Sequence, residues 1–389
     1  MSDLTKIPVT VVTGFLGSGK TTLIRHLMQN PQGKRLGIIV NEFGDVGVDG
    51  EILKSCAISD CPAENILELA NGCICCTVAD DFIPTIEALM ALDPQPEHIL
   101  IETSGLALPK PLLKAFDWPD IRSRITVDGV IALADAEAVA DGRFAANVDA
   151  VDAQRRADES LDHETPLSEV FEDQISCADI VLLTKPDLAG PAGLATAREV
   201  IAAEAPRPLP VVEVAEGAVD PRVILGLEAA AEDDLDARPS HHDGPHGQGH
   251  GHGHSHDHAH AHDHDHDHDH GRDHHHDYGH HHHHDHDHDD FDSLVVDIPE
   301  VADPAELAAR IEALAKARDI LRVKGYAAVV GKPMRLLVQA VGSRVRWQYD
   351  RPWRPAEGRR GRLVVIGQQG DVEANAILAH LAPRAEAAE

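Results

Sequence analysis

Over the first 230 residues, short unbroken apolar runs alternate with stretches of helical spacing. The runs at 7–12, 36–40, 65–70, 97–102, 126–135 and 179–185 predict buried strands. Between the first two, Leu23, Ile24, Leu27 and Met28 recur at helical spacing and predict a helix over 22–28. Strands alternating with helices through about residue 228 argue a mainly parallel sheet covered on both faces. The pattern disappears between 232 and 290. It returns with strands predicted at 294–298, 321–329, 335–340, 344–349 and 362–366, and helices at 305–317 and after Asp371. The chain therefore divides into an α/β domain over 1–230, a linker over 231–290 and a small α+β domain over 291–389. Trp347, Tyr349 and Trp353 gather near the last strands and are expected in that domain's core.

The first strand runs into Gly14-Phe15-Leu16-Gly17-Ser18-Gly19-Lys20-Thr21-Thr22, which satisfies G-x-x-x-x-G-K-[ST]. A strand, a glycine-rich turn and a helix form the context in which that motif cradles phosphate. Gly14, Gly17 and Gly19 let backbone N–H groups, including that of Ser18, curl around phosphate oxygens, and the helix N-terminus adds a favourable dipole. Lys20 would reach the β and γ phosphates, and the Thr21 hydroxyl would hold Mg²⁺ beside Thr22. The fold class is thus α/β of the P-loop NTPase type, and the chain is expected to bind a nucleoside triphosphate.

Other polar residues fall where predicted strands end, the edge at which ligands of open α/β sheets bind. Asn41 to Asp49 reads either as a switch segment sensing Mg²⁺ and the γ-phosphate or as a solvated acidic loop. Glu102, at the tip of its strand, fits the Mg²⁺-sensing position, and Gly105 would bring a backbone N–H to the γ-phosphate. In Thr184-Lys185-Pro186-Asp187, the Asp187 carboxylate can accept from guanine N1–H and the exocyclic amine, with the Lys185 stem stacked on the base. A small-molecule kinase would need an acceptor pocket with a positioned base, and none is evident.

Asn71-Gly72-Cys73-Ile74-Cys75-Cys76 places three thiols within four residues. Thiolates select Zn²⁺, Co²⁺ or Cu⁺ over Mg²⁺, and a set of three leaves one coordination position open for exchange. The alternative is buried cysteines acting as small hydrophobes. Cys56 and Cys61 are weaker candidates for a second, looser site.

Composition then narrows the partners. Residues 241–288 hold 24 of the chain's 28 histidines, with Asp and Gly and almost no apolar side chain. Such a stretch cannot bury a core and is expected to be disordered, serving as a low-specificity metal reservoir or as an inert linker. Its neighbourhood, 241–290, contributes −11 to a net charge of −32, so the remainder is acidic too. That charge repels nucleic acid backbones. No apolar run approaches membrane-spanning length and no signal-like segment opens the chain, so the expectation is a cytoplasmic protein with reduced thiols.

These same segments, the Gly14–Thr22 loop, Asn41-Glu42-Phe43-Gly44, Asn71-to-Cys76, Glu102-Thr103-Ser104-Gly105 and Thr184-to-Asp187, resemble those of the CobW family of metal-handling GTPases. The resemblance spans nearly the whole chain. It implies a GTP-dependent metallochaperone in which Cys73, Cys75 and Cys76 ligate the delivered metal and Glu102 serves Mg²⁺. Cobalt delivered to a client enzyme of cobalamin biosynthesis is the implied cargo and partner. A zinc chaperone and a nucleotide-regulated metal store are the alternatives, and the oligomeric state stays open. One departure stands out: the guanine-reading motif of many GTPases begins with Asn, where this chain has Thr184.

Overall fold

The computed structural model describes residues 6–40, 53–55, 61–68, 82–145, 147–157, 166–241, 291–354 and 357–381. The acidic loop 41–49, Cys56, the Cys73, Cys75 and Cys76 cluster and the histidine-rich stretch from 242 to 290 lie outside the described residues.

The first sheet takes β1 (Ile7–Thr13), β2 (Leu36–Val40), β3 (Ile66–Glu68), β4 (His98–Glu102), β5 (Ile125–Asp135), β6 (Ile180–Thr184) and β7 (Val211–Val214). All pair in parallel in the order β3-β2-β4-β1-β5-β6-β7. Helices α1 (Lys20–Gln29), α2 (Ile83–Met90), α3 (Pro109–Ala115), α4 (Val148–Ala157), α5 (Leu167–Cys177) and α6 (Pro186–Glu204) join them, with shorter turns between. Alternate strand residues enter different cores. Val12, Ile38 and Leu100 pack with α1, while Val9, Val11, Ile99 and Ile101 pack with α2 and α3. A sheet buried on both faces needs apolar residues at every position, which is why its strands read as unbroken runs. Of the expected 65–70 strand, residues 66–68 form β3, residues 69 and 70 lie outside the described residues, and Asn65 is not in the strand. It closes a 3₁₀ turn, and its buried side chain donates to the Leu36 carbonyl instead.

The second sheet is antiparallel: β8 (Phe291–Ile298), β9 (Ile320–Ala327), β10 (Met334–Val341), β11 (Arg344–Pro352) and β12 (Gly361–Gln368) run in the order β11-β10-β9-β12-β8. Helices α7 (Pro304–Arg318) and α8 (Ala374–Leu381) cover one face through Leu307, Ile311, Leu314 and Ile377. From the opposite face, Leu321, Val341 and Ile366 join the core that holds α1. Polar contacts cross the same boundary. The Arg322 guanidinium on β9 donates to the carbonyls of Leu225 and Gly226, a turn that the Asp128 carboxylate holds from within the α/β domain by accepting from the backbone N–H of Gly226 and Glu228.

Two sequence expectations change here. Trp353 is half-buried against Tyr326, but Trp347 and Tyr349 are 43% and 37% exposed, because β11 is a sheet edge that pairs on one side only among the described strands. Residues 231–241, assigned to the linker by composition, pack on the α/β domain. The Glu232 carboxylate accepts from Val127 N–H, Arg238 is fully buried, and the Asp173 carboxylate accepts from Ser240 Oγ and His241 N–H. Among the described residues, no helix is long and apolar enough to cross a membrane.

Candidate functional site

The chain reverses direction across the sheet at β1, and the phosphate loop leaves the carboxyl end of that strand. Gly14 has φ +139°, and a Cβ built there would lie 2.4 Å from the Leu133 carbonyl oxygen, so a side chain is excluded on both counts. Ser18 N–H donates to Phe15 O at 3.1 Å, closing the turn. Gly19 caps α1 in the left-handed region without a side-chain acceptor. The first N–H groups of the helix therefore face the loop with no intrahelical partner, a ready anion site. Lys20 is buried, and its Nζ donates to the carbonyls of Gly14 at 2.8 Å and Phe15 at 3.1 Å, which holds the ammonium over the loop. The buried Ser18 hydroxyl has no hydrogen-bond partner among the described residues. An orphaned hydroxyl, an uncapped helix start and an ammonium along one loop suit a polyphosphate.

Thr21 Oγ1 donates to Glu102 Oε1 at 3.0 Å, bringing together a hydroxyl on α1 and a buried carboxylate at the end of β4. These hard oxygens suit Mg²⁺ in a site that relies on phosphate and water for its other ligands. The next residues are pinned to the loop. Thr103 Oγ1 donates to Thr13 Oγ1 at 3.1 Å, and a Cβ on Gly105 would meet Leu16 N at 2.6 Å. Behind Gly105, the buried Gln174 on α5 donates through Nε2 to the carbonyls of Gly105 at 3.2 Å and Ala107 at 3.4 Å.

At the end of β6, the Thr184 hydroxyl shares its proton between Ser18 O at 2.9 Å and Ala134 O at 3.2 Å. In the position where many GTPases carry Asn, the shorter side chain thus ties the phosphate loop to β5 and β6. Lys185 adopts φ +54°, and its Nζ pairs with Asp135 Oδ2 at 2.5 Å. Asp187 follows as an exposed residue in the first turn of α6.

Sequence reasoning missed Asp135, Gln174 and the turn after β7. Asp135 is buried at the end of β5, and its other oxygen accepts from Ala138 N–H at 3.1 Å, so it holds Lys185 and caps a short helix at once. Gly217, at φ +72°, approaches Thr22 and Leu23 so closely that a Cβ would lie 3.0 Å from their backbone. We expect Asp135→Asn to keep the cap yet free Lys185. Because Lys185 is one-third exposed, the loss is modest: GTP binding weakens roughly 3- to 10-fold. Competition against a fluorescent GTP analogue measures it, and unchanged affinity would separate Lys185 from base recognition.

Transition-metal donors are a different matter. Among the described residues, no group of three or more His, Cys, Asp or Glu is arranged to hold a metal ion. Cys61 is a free thiol within the α1 core, and burial pushes its pKa up to about 12. Its expected companion in the looser second site, Cys56, lies outside the described residues. Cys177 is likewise buried, with its thiol pushed up to about 12.

Residues 8–213 match the family described as the CobW/HypB/UreG nucleotide-binding domain, and residues 291–383 match the cobalamin synthesis protein cobW C-terminal domain. The chain belongs to the CobW family. A Sinorhizobium protein named zinc chaperone CobW is 48% identical over 93% of this chain and 93% of its own length. A Pseudomonas aeruginosa protein of the same name is 49% identical over 95% of this chain and 90% of its own. The Escherichia coli protein named zinc chaperone YjiA is 28% identical over 93% of this chain and 94% of its own. Membership extends across both sheets, so the phosphate loop and the antiparallel domain are parts of one family architecture.

Proposed function

We propose that this CobW-family chain is a GTP-dependent metallochaperone that binds a transition metal through Cys73, Cys75 and Cys76 and yields it to a client enzyme on GTP hydrolysis. The topology of the first sheet carries this reading. Because its strands are parallel, β1, β2, β3 and β4 all end at one edge, where the phosphate loop follows β1 and Glu102 closes β4. In sequence, Cys73, Cys75 and Cys76 follow β3, one of the strands that end at that edge.

In this mechanism Lys20 and the start of α1 neutralise phosphate charge, and Thr184 holds the loop by its Ser18 carbonyl. Asp187 accepts from the guanine edge, with Lys185 aligned by Asp135. Thr21 and Glu102 would hold Mg²⁺, which when bound supplies charge neutralisation at the β and γ phosphates. Gly105, wedged between Leu16 and Gln174, lies where loss of the γ-phosphate can be relayed to neighbouring segments.

The names of the similar proteins favour Zn²⁺ as cargo. Co²⁺ is the second reading, supported by the cobalamin synthesis description of the C-terminal family. Thiolates accept both metals, so geometry and supply must discriminate. Co²⁺ titration followed by thiolate-to-metal absorption, with and without Mg²⁺ and GTP, tests the coupling. Nucleotide should tighten binding by roughly 10-fold or more. Replacing Cys73, Cys75 and Cys76 together by alanine should abolish the signal, and Zn²⁺ competition then ranks the cargoes. Binding that ignores nucleotide, or survives in the triple variant, rejects the chaperone and makes the histidines of 241–288 a metal store.

A further inference from the structure

Strand β11 closes the C-terminal sheet on one side and pairs with β10 alone among the described strands. It runs nine residues, long for an edge. Natural edges are commonly blunted by shortness, proline, inward charges or a covering element. Between Arg346 and Asp350 this edge has no proline, and Trp347 and Tyr349 are exposed. The register sets Trp347 opposite Val338 and Tyr349 opposite Leu336, on the face that carries α7. Arg346, Gln348 and Asp350 stand on the other face. Beside Gln348 the α/β domain leaves a groove of about 670 Å³, lined also by Trp347, Lys6 and Thr126.

The order Arg346-Trp347-Gln348-Tyr349-Asp350 is complementary to itself when read antiparallel about Gln348. In such a pair, Arg346 of one copy faces Asp350 of the other, Trp347 faces Tyr349, and Gln348 faces its own counterpart. A two-fold axis repeats each match. Opposite charges and aromatic pairs directly across are favourable cross-strand combinations. Slipped by one residue, Arg346 would face Tyr349 or Arg351, and both matches would be lost. Arg346 has donors to spare, and Asp350, engaged by Arg335 through both oxygens, would share its charge with the second copy's arginine. Arg346 uses Nη1 toward the carbonyls of Ala229 and Ala230, and the Asp350 carboxylate receives Arg335 from β10 and the Arg351 N–H.

We propose that β11 is the contact through which two copies of this chain associate, joining their C-terminal sheets antiparallel across a two-fold axis at Gln348. The partner is a second copy because the strand's own charge and aromatic order specifies it, and two-fold pairing is the commonest symmetry of homo-oligomers. The inference is independent of the nucleotide and metal readings.

Sedimentation equilibrium of the full chain, with a chelator present so that histidines cannot bridge copies through metal, should show a dimer. R346D and D350R each oppose like charges twice and should raise the dimer dissociation constant by roughly 10-fold or more. The double variant R346D/D350R restores the complement and should restore dimerisation, which a merely structural role for either residue would not. Q348C places two thiols on the axis, where paired Cα atoms stand about 4.5–5.5 Å apart, within disulfide reach. Mild oxidation should cross-link it well beyond the parent chain, and this arm carries the test should a charge reversal unfold the protein. A chain monomeric at every concentration, a dimer indifferent to the single reversals, or an edge that captures an extended peptide of another protein would each overturn the proposal.

Discussion

Replacing Lys20 with alanine should lower kcat/KM for GTP by about 100- to 1,000-fold, the size expected when a preorganised charge facing a transferring phosphoryl group is lost. Lys20 is 7% exposed, and its Nζ lies within hydrogen-bond reach of two loop carbonyls. An ammonium held there gains from those contacts, and it is placed to meet the negative charge of a polyphosphate at the loop. Alanine removes the charge and a loop tether together. Calorimetric titration of GTP with Mg²⁺, phosphate release and a thermal melt separate the two effects. A phosphate role predicts lost affinity and turnover with a melt close to the parent, whereas a purely structural tether predicts a lowered melt with turnover retained in the folded fraction. Wild-type binding and hydrolysis in Lys20→Ala would remove the loop from the phosphate site altogether.

The parallel sheet was legible because burial on both faces leaves continuous apolar runs, as in 36–40 and 180–184. The phosphate loop was legible because its chemistry is local: glycines, lysine and threonine adjacent in sequence act on one ligand. Contacts closed by tertiary structure left no such trace. An Asp at a strand end reads as a helix cap, which Asp135 is, and nothing nearby announces that Lys185 will pair with it. Gln174 reads as one more polar residue on an amphipathic helix, because the carbonyls it serves lie far upstream. The exposure of Trp347 and Tyr349 depends on strand order, since the same alternating sequence in a central strand would be covered. Residues 231–241 were hidden by the low-complexity run that follows them, although Arg238 is among the most buried large side chains.

Asp179→Ala should be the most destabilising single change at the contact between the two sheets. Asp179 opens the turn into β6 and is 3% exposed. Its Oδ1 accepts from Arg238 Nη2 at 2.6 Å and from Arg344 Nη1 at 2.8 Å, the latter reaching over from β11, and Arg207 stands 3.7 Å away. Its Oδ2 accepts from Val130 N–H at 2.9 Å. Removing the carboxylate leaves guanidinium groups crowded without their central counter-charge, and breaking a buried pair in this way costs about 3–5 kcal/mol. Asp179→Asn keeps the shape and one acceptor and should lose less. Burial alone would raise the Asp179 pKa, but the neighbouring charges of Arg238 and Arg344 more than reverse it, so the folded pKa lies below the ordinary carboxylate value. The sign follows: this carboxylate stabilises the fold above its unfolded pKa, and the contribution is lost as pH falls from there through the depressed folded pKa. Denaturant melts across that acidic window should therefore fall more steeply for the parent than for Asp179→Asn. Equal slopes would mean that the arginines are held by their other contacts, the Cys177 and Ala178 carbonyls and Asp234, and that Asp179 is not the hub.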